Sequence, residues 1–129
     1  MSASEIKILV TGARGFIGRA ILPLLANTFG GASLHAIRRH RDDPVPPVTG
    51  VTWHSLDLLE TGAARTFIDT VRPTHILHTA WETRPPHFWT SEENLHWVKA
   101  GIELTDHFFQ SGGKRFLSLG SLAEYDIHQ

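Results

Sequence analysis

Cysteine is absent from the 129-residue sequence, and so is any long hydrophobic run. Without cysteine the chain has no disulfide bond, no thiol nucleophile and no thiolate metal ligand, which suits a reducing compartment. No apolar stretch approaches the roughly 18 residues that a membrane-spanning helix requires. The first residues also lack the charged and apolar regions of a signal peptide. The sequence therefore predicts a cytoplasmic protein that does not enter a membrane.

An excess of charge of either sign is missing too. The chain has 12 basic and 13 acidic residues, a net charge of -1. This balance gives no overall electrostatic attraction to nucleic acid or to an anionic membrane, so neither partner is expected. Hydrophobic residues make up 41% of the sequence, enough for a packed core. We expect one globular domain over residues 1–129.

Short apolar segments alternate along the chain with segments of helical periodicity. The predicted strands are Ile6–Val10, Ser33–Ile37, Val51–His54, Ile76–His78 and Phe116–Leu119, and the predicted helices begin at Phe16, Ala63 and Ser91. Strands that alternate with helices predict an α/β fold with a parallel sheet and helices on both faces. The expected strand order is 3-2-1-4-5, the open half of a dinucleotide-binding sheet, truncated before the later strands.

Two local patterns set the expected helix geometry. In the first helix, apolar residues recur at helical spacing: Phe16, Ile17, Ala20, Ile21, Leu24 and Leu25. Pro23 lies inside this segment and counts mildly against a helix, because proline lacks a backbone donor and usually kinks a helix. Before the last helix, Ser91 is placed to cap the helix N-terminus.

A glycine-rich turn joins the first strand to the first helix. Gly12 permits the tight turn, Gly15 permits close approach of a pyrophosphate to the backbone, and Gly18 lets the helix pack close to the sheet. The free amides at the helix start then face an anion. The spacing departs from the Gly-x-Gly-x-x-Gly fingerprint. The alternative is that these glycines serve only the turn and the packing.

The segment Thr11 to Gly18 resembles the cofactor motif of the extended short-chain dehydrogenases/reductases, the NAD(P)-dependent sugar epimerase/dehydratase family. Later segments fit this family in the expected order. The resemblance implies cofactor contacts from Gly12, Arg14, Gly15, Phe16, Ile17 and Gly18, from Asp57 and Leu58 beside the adenine, and from Thr79, Ala80 and Trp81 after the fourth strand. It also implies that Asn94 supports the active site and that Ser121 is the active-site serine.

The end of the second strand indicates which dinucleotide is preferred. NAD enzymes place an acid there for the ribose 2′-hydroxyl, whereas this chain has Arg38 and Arg39 and no acid before Asp42. Guanidinium groups match a phosphate in geometry and charge. We therefore expect NADP(H), with Arg38 and Arg39 at the 2′-phosphate and Arg14 as a helper. The alternative is a solvated basic loop.

Part of the catalytic set that the resemblance implies is missing. The family uses a Tyr-x-x-x-Lys pair in which the tyrosine transfers a proton, and the sequence ends at Gln129, eight residues after Ser121. Tyr125 is the only tyrosine, and it matches a structural position of the family with no lysine after it. We expect the N-terminal cofactor-binding part of a nucleotide-sugar epimerase, dehydratase or reductase, inactive alone. The alternative is a non-catalytic dinucleotide-binding module or a truncated remnant.

The many histidines and tryptophans invite other functions. None of the nine histidines has metal-ligand spacing, so no metal is expected. Trp81, Trp89 and Trp97 could stack on bases or sugars. The alternative, which we favour, is that Trp97 belongs to the core and the other two close over the edge of the cofactor.

The last helix and the last strand carry more apolar surface than one sheet face needs. The helix residues concerned are Leu95, Val98, Ile102, Leu104, Phe108 and Phe109. The fifth strand lies at the open edge of the sheet, with unpaired backbone donors and acceptors. Both features predict self-association, and a closed homodimer is favoured because it leaves no edge free to propagate.

Overall fold

The computed structural model describes residues 5–30, 32–81 and 89–121. In chain order its elements are β1 (Lys7–Thr11), α1 (Phe16–Thr28), β2 (Ser33–Arg38), β3 (Val51–Ser55), α2 (Ala63–Val71), β4 (His75–His78), α3 (Glu93–Gln110) and β5 (Arg115–Ser118). Each predicted strand is present, and its boundaries differ from the prediction by one residue at most. Tyr125 and most of the predicted loop between Trp81 and Thr90 lie outside the described residues.

The five strands form one parallel sheet in the order β3-β2-β1-β4-β5. β1 is the central strand, and its Leu9 aligns with His35 of β2 on one side and with Ile76 of β4 on the other. The predicted strand order and the Rossmann-like α/β class are thus confirmed. Because the chain reverses its direction of travel across the sheet at β1, the carboxyl ends of β1 and β4 border a crevice, where such folds bind ligands.

Helices cover both faces of the sheet, as predicted. Successive strand residues point to opposite faces, so each strand contributes to two separate cores. The first core lies under α2 and α3 and includes Leu9, Ile37, Ile76, Phe67, Ile68, Leu104 and Phe108. The second lies under α1 and includes Ile8, Val10, Leu34, Ala36, Leu77 and Leu22.

The apolar side chains of α1 do not all face the sheet. The exposed fractions of Phe16, Ile17 and Leu24 are 92%, 47% and 65%. The buried residues of this helix are instead Gly18 and Leu22. A Cβ at Gly18 would lie 2.7 Å from the Cα of Ala13, so the helix packs through a bare backbone contact. Apolar spacing did not reveal this contact, since glycine contributes no hydrophobic side chain.

The start of α3 differs slightly from the sequence prediction. The helix begins at Glu93, and the preceding Glu92 makes no side-chain capping bond. The Ser91 hydroxyl accepts a hydrogen bond from the backbone N–H of Glu93 at 3.2 Å. Ser91 therefore satisfies one of the free donors at the helix start, as a capping residue does, from one position farther out than expected.

In the described part of the chain, no helix combines the length and apolar character needed to cross a membrane.

Candidate functional site

The carboxyl ends of the four strands β1 to β4 open onto one cavity of about 430 Å³. Its walls are residues 12–17 after β1, 37–39 at the end of β2, 56–58 after β3 and 79–81 after β4, together with Trp97 of α3. This is the crevice that the strand order creates. The predicted site segments, which are far apart in sequence, therefore meet in one place.

The buried hydroxyl of Thr11 joins the ends of β1 and β4 next to residues 79 and 80, which line this cavity. Its Oγ1 accepts hydrogen bonds from the backbone N–H groups of Thr79 at 3.1 Å and Ala80 at 3.3 Å. The Thr79 hydroxyl in turn donates to the Thr11 carbonyl at 2.7 Å. The backbone after β4 is thus held against the glycine-rich turn, and the wall formed by residues 79–81 has a fixed position.

The same threonine hydroxyl also contacts the ring of His78, whose Nδ1 lies 2.6 Å from Thr11 Oγ1. Burial lowers the pKa of His78 below its ordinary value and favours the neutral ring.

The three glycines of the turn are required for three different reasons. Gly12 has a φ of +63°, and a Cβ there would meet Thr79 Oγ1 at 2.5 Å and Ala80 N at 2.6 Å. Gly18 makes the close contact with Ala13 described above. Gly15 has an ordinary φ of −71°, and its Cβ would have only the Gly12 carbonyl oxygen nearby, at 3.1 Å. The fold therefore demands Gly12 and Gly18, whereas Gly15 leaves room for a ligand.

The start of α1 presents backbone donors to the cavity. Gly15 is the N-cap residue, no side chain caps this end, and the first turn contains no acidic residue. The free amides and the positive end of the helix dipole attract an anion. A pyrophosphate against Gly15 fits this arrangement, because a β-carbon would occupy the approach that glycine leaves open.

The charged side chains that line the cavity are mostly basic. Three guanidinium groups, from Arg14, Arg38 and Arg39, and one carboxylate, from Asp57, line the cavity. Arg39 Nε lies 3.2 Å from Asp57 Oδ2. Arg38 donates from Nε to the Ser55 hydroxyl at 3.2 Å. Positive charge thus exceeds negative charge among the side chains that line the cavity.

The cavity brings together every predicted cofactor contact except Gly18 and Asn94. Gly18 lies behind the turn, and Asn94 lies in the first turn of α3. Ser121, the predicted catalytic serine, is exposed beyond the end of β5 and does not line the cavity. Leu58 lines the cavity, and because only 4% of it is exposed it also belongs to the hydrophobic core.

Two contributors to the site were missed by the sequence analysis. Thr11 is a fully buried polar residue at a strand end, and such a residue needs hydrogen-bond partners, which was the available signal. Trp97 was interpreted as a core residue, and it packs against the first core while also lining the cavity. Its double contact depends on the orientation of α3, which the sequence does not show.

The histidines do not assemble into a metal site within the described residues, where no group of three or more suitable ligands was found. His35 Nδ1 and His54 Nε2 lie 2.8 Å apart on β2 and β3, and their rings stack. Burial lowers the pKa of both rings, and the neighbouring His54 lowers that of His35 further. This pair therefore forms a neutral contact between strands.

Comparison with protein families and solved structures supports the same interpretation. A sequence model of the NAD dependent epimerase/dehydratase family matches residues 8–129. A search of curated proteins found no match.

Solved structures of similar fold come from several bacteria. The Bordetella bronchiseptica enzyme WbmG in complex with NAD shares 23% identity, with a TM-score of 0.70 over 88% of this chain and 36% of that one. The UDP-glucose 4-epimerase of Thermus thermophilus in complex with NAD shares 23% identity, with a TM-score of 0.70 over 86% of this chain and 36% of that one. L-threonine dehydrogenase from Clostridium difficile shares 21% identity, with a TM-score of 0.73 over 93% of this chain and 38% of that one.

The fold and its crevice define a dinucleotide-binding α/β domain. More specifically, the chain belongs to the NAD dependent epimerase/dehydratase family. It spans little more than a third of the length of the solved structures that it matches.

Substitution of Gly15 tests whether the cavity binds a dinucleotide. We expect Gly15→Val to retain the fold and to weaken dinucleotide binding by about tenfold or more, because the side chain fills the pyrophosphate approach. The matched control is Gly30→Val, at the far end of α1, where a Cβ would make only an ordinary contact of 3.7 Å. Fluorescence titration provides the affinities. Unchanged affinity in a folded Gly15→Val variant would contradict the site.

Because three histidines have lowered pKa values in the folded protein, we expect its stability to fall in mild acid. The pKa of His78, and those of His35 and His54, are lower in the folded protein than the ordinary 6.5. The unfolded chain then binds more protons, so the free energy of unfolding decreases as the pH falls below about 6.5 toward the lowered values. Urea denaturation between pH 7.5 and 5 measures this slope.

The variant His78→Asn isolates the contribution of His78 to that slope. Asparagine keeps an acceptor near Thr11 and removes the titrating ring. We expect a shallower loss of stability with falling pH. A slope identical to that of the unaltered protein would show that His78 does not remain neutral in the fold.

Proposed function

We propose that the cavity binds NADP(H) in preference to NAD(H). The observation that carries this proposal is the position of Arg38 and Arg39, which end β2 and line the same cavity as Gly15. This is the place where a dinucleotide ribose lies in such folds. The terminal nitrogens of Arg39 make no hydrogen bond within the described residues, so they are available to a phosphate.

Other residues of the cavity would hold the remaining parts of the dinucleotide. The amides at Gly15 and the start of α1 would bind the pyrophosphate, and Asp57 with Leu58 would border the adenine. Thr79 to Trp81 would border the nicotinamide half, because they line the wall after β4. Asn94 and Ser121 would act at the reacting end.

The longer protein would act on nucleotide-sugars as an epimerase, dehydratase or reductase. When bound, the nicotinamide supplies reversible hydride transfer. The residues of this chain would orient the dinucleotide, and Ser121 would hydrogen-bond a substrate hydroxyl. Two of the similar structures support the substrate class by their own ligands: WbmG in complex with NAD and UDP, and a Thermotoga maritima UDP-glucose 4-epimerase with UDP-glucose.

A second candidate is a dinucleotide-binding module without catalysis. It is favoured by the sequence itself, in which Tyr125 is the only tyrosine and no lysine follows it. Proton transfer by a Tyr-x-x-x-Lys pair is then not available from this chain alone. In both candidates the expected location is the cytoplasm, which is consistent with a sequence that contains no cysteine.

Self-association to a homodimer completes the proposal. The exposed fractions of Leu95, Val98, Ile102 and Phe109 on α3 are 74%, 47%, 65% and 50%. Between α3 and β5 lies a groove of about 700 Å³, and Val98, Ile102 and Phe109 are among the residues that line it. Covering this apolar surface by a second copy removes it from water.

Titration with both dinucleotides tests the proposed preference. We expect NADP⁺ to bind more tightly than NAD⁺, and we expect Arg39→Gln to reduce that difference, because the 2′-phosphate loses a guanidinium partner. Arg65→Gln on α2 is a matched control outside the cavity. A preference of about tenfold or more for NAD⁺ would overturn the assignment.

Light scattering tests the homodimer. We expect a dimer at high micromolar concentration, and we expect Ile102→Lys to shift the equilibrium toward monomer by placing a charge on the apolar surface of α3. Leu24→Lys provides a control, since Leu24 is equally exposed, at 65%, but lies on α1. A monomeric unaltered protein, or an equal effect of both variants, would contradict this interface.

A further inference from the structure

The loop after β2 is tied to the glycine-rich turn by one carboxylate. Asp43 Oδ2 lies 3.4 Å from Arg14 Nη1, and Arg14 Nε donates to the Pro44 carbonyl at 2.6 Å. The side chains of Arg14 and Asp43 are 36% and 24% exposed, so the pair is only partly solvated. Arg14 is thus directed toward this loop, although it also lines the cavity.

Asp43 also contacts a second arginine that lines the cavity. Its backbone carbonyl accepts a hydrogen bond from Arg38 Nη1 at 3.1 Å. Its side chain closes the loop as well, because Asp43 Oδ2 accepts the backbone N–H of His40 at 3.0 Å. One residue therefore contacts two of the three guanidinium groups of the cavity and supplies one of them with a negative partner.

We propose that Asp43 is a specificity-determining residue that limits the affinity of the cavity for a ribose 2′-phosphate by engaging Arg14. A phosphate that approaches Arg14 must compete with the Asp43 carboxylate, and the two negative charges repel each other. A ribose 2′-hydroxyl meets no such competition. Asp43 thus sets how strongly the two dinucleotides are distinguished. This inference rests on the proposed function, since it assigns a role within the same dinucleotide site.

The substitution Asp43→Asn removes the charge while retaining the shape. Its amide oxygen can still accept the His40 N–H, and its backbone carbonyl still binds Arg38. Asp42→Asn is the matched control, because it removes the same charge from the neighbouring, exposed residue. Within the described residues the Asp42 side chain makes no hydrogen bond or ion pair.

Two small nucleotides that differ by one phosphate provide the probes. Adenosine 2′,5′-bisphosphate and adenosine 5′-monophosphate both need only the adenosine end of the site, and calorimetry gives the affinity of each. We expect Asp43→Asn to increase the ratio of bisphosphate to monophosphate affinity by roughly two- to fivefold, the range for a partly exposed ion pair. Asp42→Asn should change the ratio clearly less.

A double variant shows whether the effect passes through Arg14. If it does, Arg14→Gln combined with Asp43→Asn loses the gain, since the released guanidinium is no longer present. A gain that persists without Arg14, an equal effect of Asp42→Asn, or a lower ratio in Asp43→Asn would each overturn the inference alone. If the unaltered protein binds neither nucleotide at the cavity, the proposed function fails, and the inference fails with it.

Discussion

The hydroxyl of Thr11 is the contact on which the geometry of the site depends. It accepts hydrogen bonds from the backbone N–H groups of Thr79 and Ala80, and it is hydrogen-bonded to the buried ring of His78. These bonds join the end of the central strand, β1, to the end of its neighbour β4. Without them, the wall after β4 would be held less firmly against Gly12, and the Ala80 amide would lose its hydrogen bond to Thr11.

The arginine side chains that line the cavity are each bound to a neighbouring group rather than isolated. Arg39 is paired with Asp57 and Arg14 with Asp43, while Arg38 contacts Ser55. Such partly exposed pairs are weak, so a phosphate that offers bidentate contacts can displace or share them. The uncapped start of α1 adds a second source of positive potential. Together they make one end of the crevice suited to an anionic nucleotide.

The strands, the first helix and the glycine-rich turn could be predicted from the sequence because their signals are local, whereas the cavity contacts of Asp57, Leu58 and residues 79–81 were expected from the family resemblance. The run before Gly12 and the spacing of the glycines identify a strand, a turn and a helix without knowledge of distant contacts. The orientation of α1 was not predictable from apolar spacing, since its closest contact is made by Gly18. The pairing of Arg14 with Asp43 was also missed, because it joins two loops whose approach only the folded chain reveals.

The most direct test of the central claim is an NMR titration of the isotope-labelled protein with NADP⁺, which reports the binding site residue by residue. The account predicts the largest backbone amide shifts at Gly15 and the start of α1 and at Arg38 and Arg39, with little change at Gly62 beside α2. The largest shifts in the groove between α3 and β5, or no shifts at saturating nucleotide, would contradict it.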